Sequence, residues 1–474
     1  MFFQKFKTPG IAHYAYLIGD GGEAAIVDPR RDVEEYVAVA HANKLAIKYV
    51  IETHRQEDFV MGSAELVKLM GAEVVSGRHA LFGHSDILLN DGEEFALGSL
   101  KLKALHTPGH TPESTCYALF VGDAPERAVG VFSGDTLFIG ESGRTDLTDP
   151  RKTGEHAGLL FDAVRAKLLP LGDQTILWPA HGAGSVCGGN IADRDDSTIG
   201  VERTYNPVFT TTREAFIEAK IKERIPRPPY FAHMEKVNLK GGMPAGRTMA
   251  AIPVLGLGRF SSDMTKGIVI DTRDPEAFAG GHIPDSVNIW LKGLPVFGGW
   301  VANETARIFL VVAEMADIAQ AVTHLARIGI DGVEGVLAGG FGAWRDAGMP
   351  LAYSGTTDPR QLERDLAMTT VLDVREDSEF EEEGHIPGAR HLYVGYIDDH
   401  LDRIKADLQK KPNIVVTCSV GHRAGVAVSL LERRGIHNVK NLLGGTTAWK
   451  KLDLPMKKQR EHTITTPDVE GARS

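Results

Sequence analysis

The second half of this chain repeats itself, and that repetition limits the folds open to it. Ile270-Asp271-Thr272-Arg273 returns as Leu372-Asp373-Val374-Arg375, and Gly281-His282-Ile283-Pro284 returns as Gly384-His385-Ile386-Pro387. Gly339-Gly340 with Trp344 returns as Gly444-Gly445 with Trp449. The offset is about a hundred residues each time. Each copy alternates strand and helix, which predicts two small α/β domains, each built round a parallel sheet. Ahead of them lies a longer segment that ends in the breakers Ile225-Pro226-Arg227-Pro228-Pro229 and Gly241-Gly242-Met243-Pro244. A chain of 474 residues exceeds one ordinary core. The expected organisation is residues 1–245 with their linker, a first repeat at 246–355, a second at 356–460, and a polar tail at 461–474.

Charge and cysteines exclude several roles. The net charge is −11, with both signs mixed along the chain, so no basic stripe offers itself to a nucleic acid. The three cysteines, Cys116, Cys187 and Cys418, are far apart and odd in number, which argues against a disulfide framework and for a reducing cytoplasm. No stretch of 18 apolar residues appears, and residues 1–10 do not read as a signal peptide. A cytoplasmic protein with no membrane partner is expected.

In the first 245 residues, apolar strands repeatedly deliver polar clusters. Strands at 15–18 and 24–27 close on Asp28-Pro29, and a helix follows at 33–43. A strand at 49–51 delivers His54, and a helix at 63–70 stops at Gly71. A hairpin at 94–105 delivers Thr107-Pro108-Gly109-His110, and a strand at 128–132 delivers Ser133-Gly134-Asp135. The strand at 175–178 delivers Pro179-Ala180-His181-Gly182, and a helix is expected over 211–224. Four polar clusters at strand ends predict one site on one edge of a sheet sandwich.

The string Thr53-His54-Arg55-Gln56-Glu57-Asp58-Phe59 is similar to the T-H-x-H-x-D-H metal motif of the metallo-β-lactamase fold, with two histidines replaced. A two-zinc hydrolase needs about seven ligands, chiefly imidazoles. Gln56 replaces an imidazole of the first ion and Phe59 one of the second, so both metals of that centre lose a ligand. A single iron(II) needs only two histidines and one carboxylate on one face, and His54, His110 and Asp135 can supply them. Gly109 and Gly134 let the backbone turn sharply before two of these residues.

Residues 1 to about 200 resemble the metallo-β-lactamase-fold persulfide dioxygenases, relatives of glyoxalase II. The matching strings are Val27-Asp28-Pro29, Thr53-His54, His106-Thr107-Pro108-Gly109-His110-Thr111-Pro112, Ser133-Gly134-Asp135-Thr136-Leu137-Phe138 and Gly143-Arg144-Thr145-Asp146. The resemblance implies an αββα sandwich holding one Fe(II), with zinc as a substitute, through His54, His110 and Asp135. It implies a low-molecular-weight thiol persulfide and dioxygen as substrates, with sulfite and the parent thiol released. Asp28 is expected to satisfy nearby backbone donors without touching the metal. Arg144, His181 and Cys187 are candidate substrate contacts. For Arg144 an exposed pairing with Asp146 is the competing reading. For Cys187, six residues past His181 in a glycine-rich loop, a working thiol and a small packed hydrophobe are equally weighted.

Residues 413–423 read Asn-Ile-Val-Val-Thr-Cys-Ser-Val-Gly-His-Arg. An apolar strand runs into Cys418, a loop of Ser419, Val420, Gly421 and His422, then Arg423 and a helix over 424–434. That order sets the sulfur over N–H groups at a helix N-terminus, where its thiolate is expected to be favoured. Arg423 is expected to organise the loop or hold an incoming sulfur oxyanion. With Asp373-Val374-Arg375 and Gly384-His385-Ile386-Pro387-Gly388-Ala389, this stretch resembles the rhodanese family over residues 360–457. The resemblance implies that Cys418 carries sulfur as a persulfide, and the C-x4-R spacing is one residue tighter than the C-x5-R of tyrosine phosphatases. The first repeat has Leu310-Val311-Val312-Ala313-Glu314-Met315 at this place, with neither cysteine nor arginine, and reads as an inactive rhodanese-like domain. Asp271, Arg273 and His282, like Asp373, Arg375 and His385, are expected to be structural.

The leading reading joins the ends of the chain. Persulfide is oxidised to sulfite in the N-terminal domain, and Cys418 moves sulfane sulfur to sulfite or from thiosulfate. The whole chain resembles fusions of these two families, which are often homo-oligomers. Two other readings stay open: a glyoxalase II-like zinc thioester hydrolase with a rhodanese module, and a sulfide-status binding protein. Oxygen consumption with glutathione persulfide separates the first from both.

Overall fold

The computed structural model describes residues 1–122, 126–244 and 252–458. The expected boundary at 245/246 and the tail at 461–474 lie outside the described residues. The chain forms two compact units.

The first unit is an αββα sandwich. One six-stranded sheet takes its strands in chain order: Phe2–Thr8, His13–Asp20, Glu23–Val27, Ala46–Glu52, Glu73–Gly77 and Ile87–Leu89. It begins antiparallel and turns parallel from Glu23–Val27 onward. The other sheet runs through Glu94–Leu97, Leu100–His106, Thr115–Val121, Gly130–Gly134, Ile176–Pro179 and Ser197–Thr198, also in chain order. Side chains alternate across each strand, so successive residues serve different layers. Tyr16 and Ile18 face the inner core with Leu102, Tyr117, Phe132 and Trp178 of the opposite sheet. Ala15 and Leu17 face outward, where Tyr36, Ala40 and Leu66 of the helices Glu34–Ala42 and Ser63–Met70 cover them. On the far side, Val131 and Leu177 are covered by Leu160, Phe161 and Phe216 of the helices Thr153–Ala163 and Arg213–Lys222. The helix expected at 63–70 spans Ser63–Met70 and ends on Gly71 with φ 66°, a left-handed cap that glycine adopts without strain.

The second unit contains two five-stranded parallel sheets with the same topology. One is ordered Val254–Leu255, Val333–Leu337, Ile308–Val311, Ile268–Asp271, Val287–Asn288. The other is ordered Thr356–Thr357, Val439–Leu442, Asn413–Thr417, Thr369–Asp373, Arg390–His391. The repeated motif residues serve the scaffold in both copies. Arg273 pairs with Asp271 and donates to the Gly281 carbonyl, and Arg375 pairs with Asp373 and donates to the Gly384 carbonyl. His282 stacks on Phe278 and His385 on Phe380, both with ring centroids 3.8 Å apart.

Register equates the two copies residue by residue. Asp271 pairs with Val311 as Asp373 pairs with Thr417, so the counterpart of Cys418 is Val312, a buried valine. The copy without a nucleophile packs against the helix His422–Arg433 of the other. Asn288 donates its backbone N–H to Ser429 Oγ at 3.0 Å, and a Cβ on Gly425 would lie 2.7 Å from Pro275 Cβ and 2.9 Å from Asn288 Oδ1. Glycine at 425 is therefore a packing requirement. Gly425→Val is expected to destabilise the second unit by about 1–3 kcal/mol through overpacking, read as a lower urea midpoint in the full chain. An unchanged midpoint would contradict this close approach.

Candidate functional site

The strand ends of the first unit bring His54, His110 and Asp135 together. His54 follows the strand Ala46–Glu52, His110 follows Leu100–His106, and Asp135 follows Gly130–Gly134 directly. All three are buried. Asp135 Oδ2 lies 3.7 Å from His54 Nε2 and 3.5 Å from His110 Nε2, and none of these three atoms has a hydrogen-bond partner among the described residues. Buried polar atoms are nearly always paired. Three facing one another without partners suit a shared cation. Gly134, at φ 52°, allows the approach, since a Cβ there would lie 2.5 Å from Thr53 Oγ1.

The imidazole tautomers follow from their other contacts. Asp28 accepts the Thr53 backbone N–H at 2.9 Å and lies 2.8 Å from the Thr53 hydroxyl. An ionised carboxylate only accepts, so it takes the hydroxyl proton. Thr53 Oγ1 must then accept from His54 Nδ1, at 2.9 Å, while the Gln56 amide lies further off at 3.4 Å. His110 Nδ1 faces the Arg144 carbonyl at 2.9 Å, and a carbonyl also only accepts. Both rings therefore carry a proton on Nδ1 and turn Nε2 toward the centre, the arrangement a histidine ligand needs. Burial opposes a charge on His54, but the carboxylates of Asp135, Glu57 and Asp28 outweigh it and raise the imidazole to about 9. Loading an ion must displace that second proton, so metal affinity falls as pH drops.

A second buried group lies alongside. Asp58, His181 and Cys187 place donor atoms within 4.8 Å of one another. His181 Nδ1 is 2.8 Å from Asp135 Oδ1 and Nε2 is 2.9 Å from Asp58 Oδ2. Burial works against its charge, yet the two carboxylates prevail and hold the imidazole well above its ordinary value. The Phe59 ring sits beside His13, with centroids 4.2 Å apart, where the motif would have offered an imidazole.

The loop from residue 54 to 61 is held from outside. Asn238 donates to the Gln56 and Phe59 carbonyls and accepts from the Met61 N–H. Arg55 pairs with Glu113, near His110.

The structure gives the three candidate substrate contacts partners within the protein. Arg144 is buried, and all five of its guanidinium N–H groups are engaged: two with Asp146 and three with the carbonyls of Val186, Pro226 and Ile225. It has no proton left for a substrate anion. His181 has both ring nitrogens bound to carboxylates. Cys187 is fully buried, and burial pushes its thiol well above the ordinary range, opposite to what a working thiolate needs.

The sequence reading missed Glu57. Its Oε2 lies 3.4 Å from His110 Nε2 and 3.9 Å from His54 Nε2. The only available signal was its place inside the metal motif.

In the second unit, Cys418 follows the strand Asn413–Thr417 and precedes the helix His422–Arg433. Gly421, at φ 112°, donates its N–H to Cys418 Sγ at 3.1 Å. Arg423 grips Glu379 with two hydrogen bonds and also donates to Ser419 Oγ, which itself donates to Glu379. Arg423 thus organises the loop through a carboxylate the sequence reading did not single out. The ring of His422 stacks on Trp290 of the first copy, with centroids 4.9 Å apart. Val420 is 47% exposed, so the loop reaches solvent at that point.

A family model for the metallo-beta-lactamase superfamily matches residues 8–181, and one for the rhodanese-like domain matches residues 259–347 and 358–452. The crystal structure of a metallo-beta-lactamase from Staphylococcus aureus subsp. aureus COL is 31% identical, with a TM-score of 0.63, covering 71% of this chain and 98% of that one. The chain belongs to the metallo-beta-lactamase superfamily. It adds two rhodanese-like domains to that fold. Among its relatives, the mitochondrial persulfide dioxygenase ETHE1 of Bos taurus is 29% identical over 240 residues, covering 50% of this chain and 86% of that protein. A hydroxyacylglutathione hydrolase of Anaeromyxobacter dehalogenans is 35% identical over 130 residues, covering 27% of this chain and 48% of that protein. The metallo-beta-lactamase fold and these relatives imply a bound metal, and the unpartnered donors of His54, His110 and Asp135 fit one.

Thr53→Val removes the hydroxyl that orients His54, and is expected to weaken metal binding about 10–100-fold, measured by anaerobic equilibrium dialysis. The second site gives a pH test. Burial opposes ionisation of Glu379, but Arg423 outweighs it and lowers the carboxyl from 4.5 to about 2. A depressed folded value contributes stability above pH 4.5 that is lost as pH falls toward 2. Glu379→Gln is expected to flatten that part of the stability–pH profile, as followed by chemical denaturation between those limits.

Proposed function

We propose that this chain is an iron(II) persulfide dioxygenase joined to a rhodanese-type sulfurtransferase, oxidising a low-molecular-weight thiol persulfide to sulfite and passing sulfane sulfur through Cys418. The observation that carries the reading is the convergence of unpartnered donors from His54, His110 and Asp135 beside Phe59, which takes the place of a second metal's imidazole. The relationship to a persulfide dioxygenase supports the substrate class.

An iron(II) ion held by these three residues would supply open positions at which a persulfide sulfur and dioxygen are brought together. The chain's own groups prepare that centre. Thr53 and the Arg144 carbonyl keep protons on the Nδ1 atoms, so both Nε2 lone pairs face inward. His181 holds the far oxygen of Asp135, which aims Oδ2 at the two imidazoles. All of these groups are buried. The balanced reaction takes one persulfide, one dioxygen and one water to one thiol, one sulfite and two protons.

At the second site the Cys418 thiolate attacks the sulfane sulfur of thiosulfate. A sulfur–sulfur bond forms at Sγ as the one in thiosulfate breaks, and sulfite leaves with the electron pair. Run in reverse, the step makes thiosulfate from the sulfite formed in the first unit. The Gly421 N–H steadies negative charge on Sγ in either direction. The three cysteines are unpaired, which suits a reducing cytoplasm. No helix among the described residues is long and apolar enough to cross a membrane.

With Fe(II)-loaded protein and glutathione persulfide, oxygen uptake and sulfite release are expected in equal amounts. His110→Ala is expected to abolish both. Cys418→Ser is expected to leave oxygen uptake unchanged and eliminate thiosulfate-dependent sulfur transfer. A two-zinc protein that hydrolyses thioesters and consumes no oxygen would overturn the reading in favour of the glyoxalase II type.

A further inference from the structure

We propose that Glu57 is a fourth donor to the metal ion, so that the centre is a two-histidine, two-carboxylate site. The inference rests on the reading that His54, His110 and Asp135 hold an ion, and it concerns how many positions that ion keeps open.

Glu57 is 2% exposed, and its Oε2 has no hydrogen-bond partner among the described residues. With His54 and His110 it forms a buried group whose donor atoms all lie within 4.8 Å of one another. Glu57 Oε2 stands 3.4 and 3.9 Å from His110 and His54 Nε2, and Asp135 Oδ2 stands 3.5 and 3.7 Å from the same atoms. If Glu57 were only a counterion, it would close onto an imidazole N–H. The same site shows what closure looks like, because His181 meets its two carboxylates at 2.8 and 2.9 Å. Glu57 stops short of that distance: it lies in ion-pair range of both imidazoles without a close hydrogen bond to either.

The observed spacings suit donors sharing an ion. Two donors each about 2.1 Å from one ion are about 3.0 Å apart at a right angle and about 3.4 Å apart at the tetrahedral angle; the His110 spacings of 3.4 and 3.5 Å match the latter, and the His54 spacings of 3.9 and 3.7 Å are wider. The loop carrying Glu57 is also fixed independently, by the Asn238 bonds on both sides of it and by the Arg55–Glu113 pair. The backbone on either side of Glu57 is therefore fixed by the fold.

The added ligand changes the electrostatics and the vacancy count. Two neutral imidazoles and two carboxylates cancel the charge of a divalent ion, so an anionic persulfide meets a neutral centre. A six-coordinate ion would keep two open positions rather than three, one for sulfur and one for dioxygen.

The test uses the full-length protein and the metal alone. Fe(II) binding to metal-free wild type and Glu57→Gln is measured anaerobically by equilibrium dialysis, and the variant is expected to bind at least about tenfold more weakly. In the Co(II)-loaded proteins the visible absorption bands are expected to intensify in Glu57→Gln, as coordination number falls. Should that variant fail to fold, crystals of Co(II)-loaded wild type decide the matter through the anomalous map, with a Glu57 oxygen expected within bonding distance of the ion. An ion bound by His54, His110 and Asp135 with Glu57 standing off, or equal affinity and equal spectra in both proteins, would overturn the inference and leave the proposed function intact. Wild type that binds no ion at these residues would instead remove the reading on which the inference rests.

Discussion

One proton, on the hydroxyl of Thr53, determines how His54 faces the candidate metal centre. Asp28 is buried, and burial raises its carboxyl to about 6, against the lowering effect of His54 and the Thr53 hydrogen bonds. Above that value it is an acceptor only, and Thr53 must serve it with both N–H and O–H. The threonine oxygen is then left as the acceptor for His54 Nδ1, and Nε2 is turned inward without a proton of its own in the metal-bound state. Asp28 never needs to touch the ion to control it. The consequence is a ligand field prepared by hydrogen bonds from behind.

The neighbouring donors are engaged with one another in the same way. His181 is clamped between Asp135 and Asp58, whose carboxylates outweigh burial and hold its imidazole well above the ordinary value. Phe59 fills its space with hydrocarbon next to His13, whose imidazole is held well below its ordinary value chiefly by burial. Arg144, expected to meet a substrate anion, instead spends its whole guanidinium on Asp146 and three carbonyls. That network fixes the segment whose carbonyl orients His110. Its contribution to the centre is therefore positional.

The second unit shows two fates of one scaffold. Both copies keep the Asp–Arg pair and the stacked Phe–His pair that close the loop after the first central strand. Only one keeps a sulfur at the end of the strand paired with it, since Val312 stands where the other has Cys418. The copy lacking the nucleophile retains a use: Trp290 lies against His422 in the cysteine loop, and Asn288 binds Ser429 one helix face away. Loss of chemistry in one repeat is compatible with a continuing structural duty beside the other.

Local pattern carried far in this chain, because period and punctuation are local properties. The helix at Ser63–Met70 and the strand Asn413–Thr417 lie where hydrophobic spacing and breakers put them. The positions of His54, His110 and Asp135 were readable for the same reason: each follows a strand, and strands of one sheet sandwich end on a common edge. What lay beyond reach was direction. No spacing rule says that the Arg144 guanidinium turns away from the centre while its carbonyl turns toward it, that Cys187 is sealed in a buried cluster, or that Glu57 inside the motif points at the two imidazoles. Nor could it show that Arg423 would be gripped by Glu379, which sits 44 residues away. The sequence by itself determined the elements, the repeat and the residue types able to hold a metal or carry sulfur, since these follow from side-chain chemistry and periodicity. Only the tertiary structure decided which of those groups are already satisfied and which still face an empty partner, because hydrogen-bond saturation is settled by neighbours that are distant along the chain.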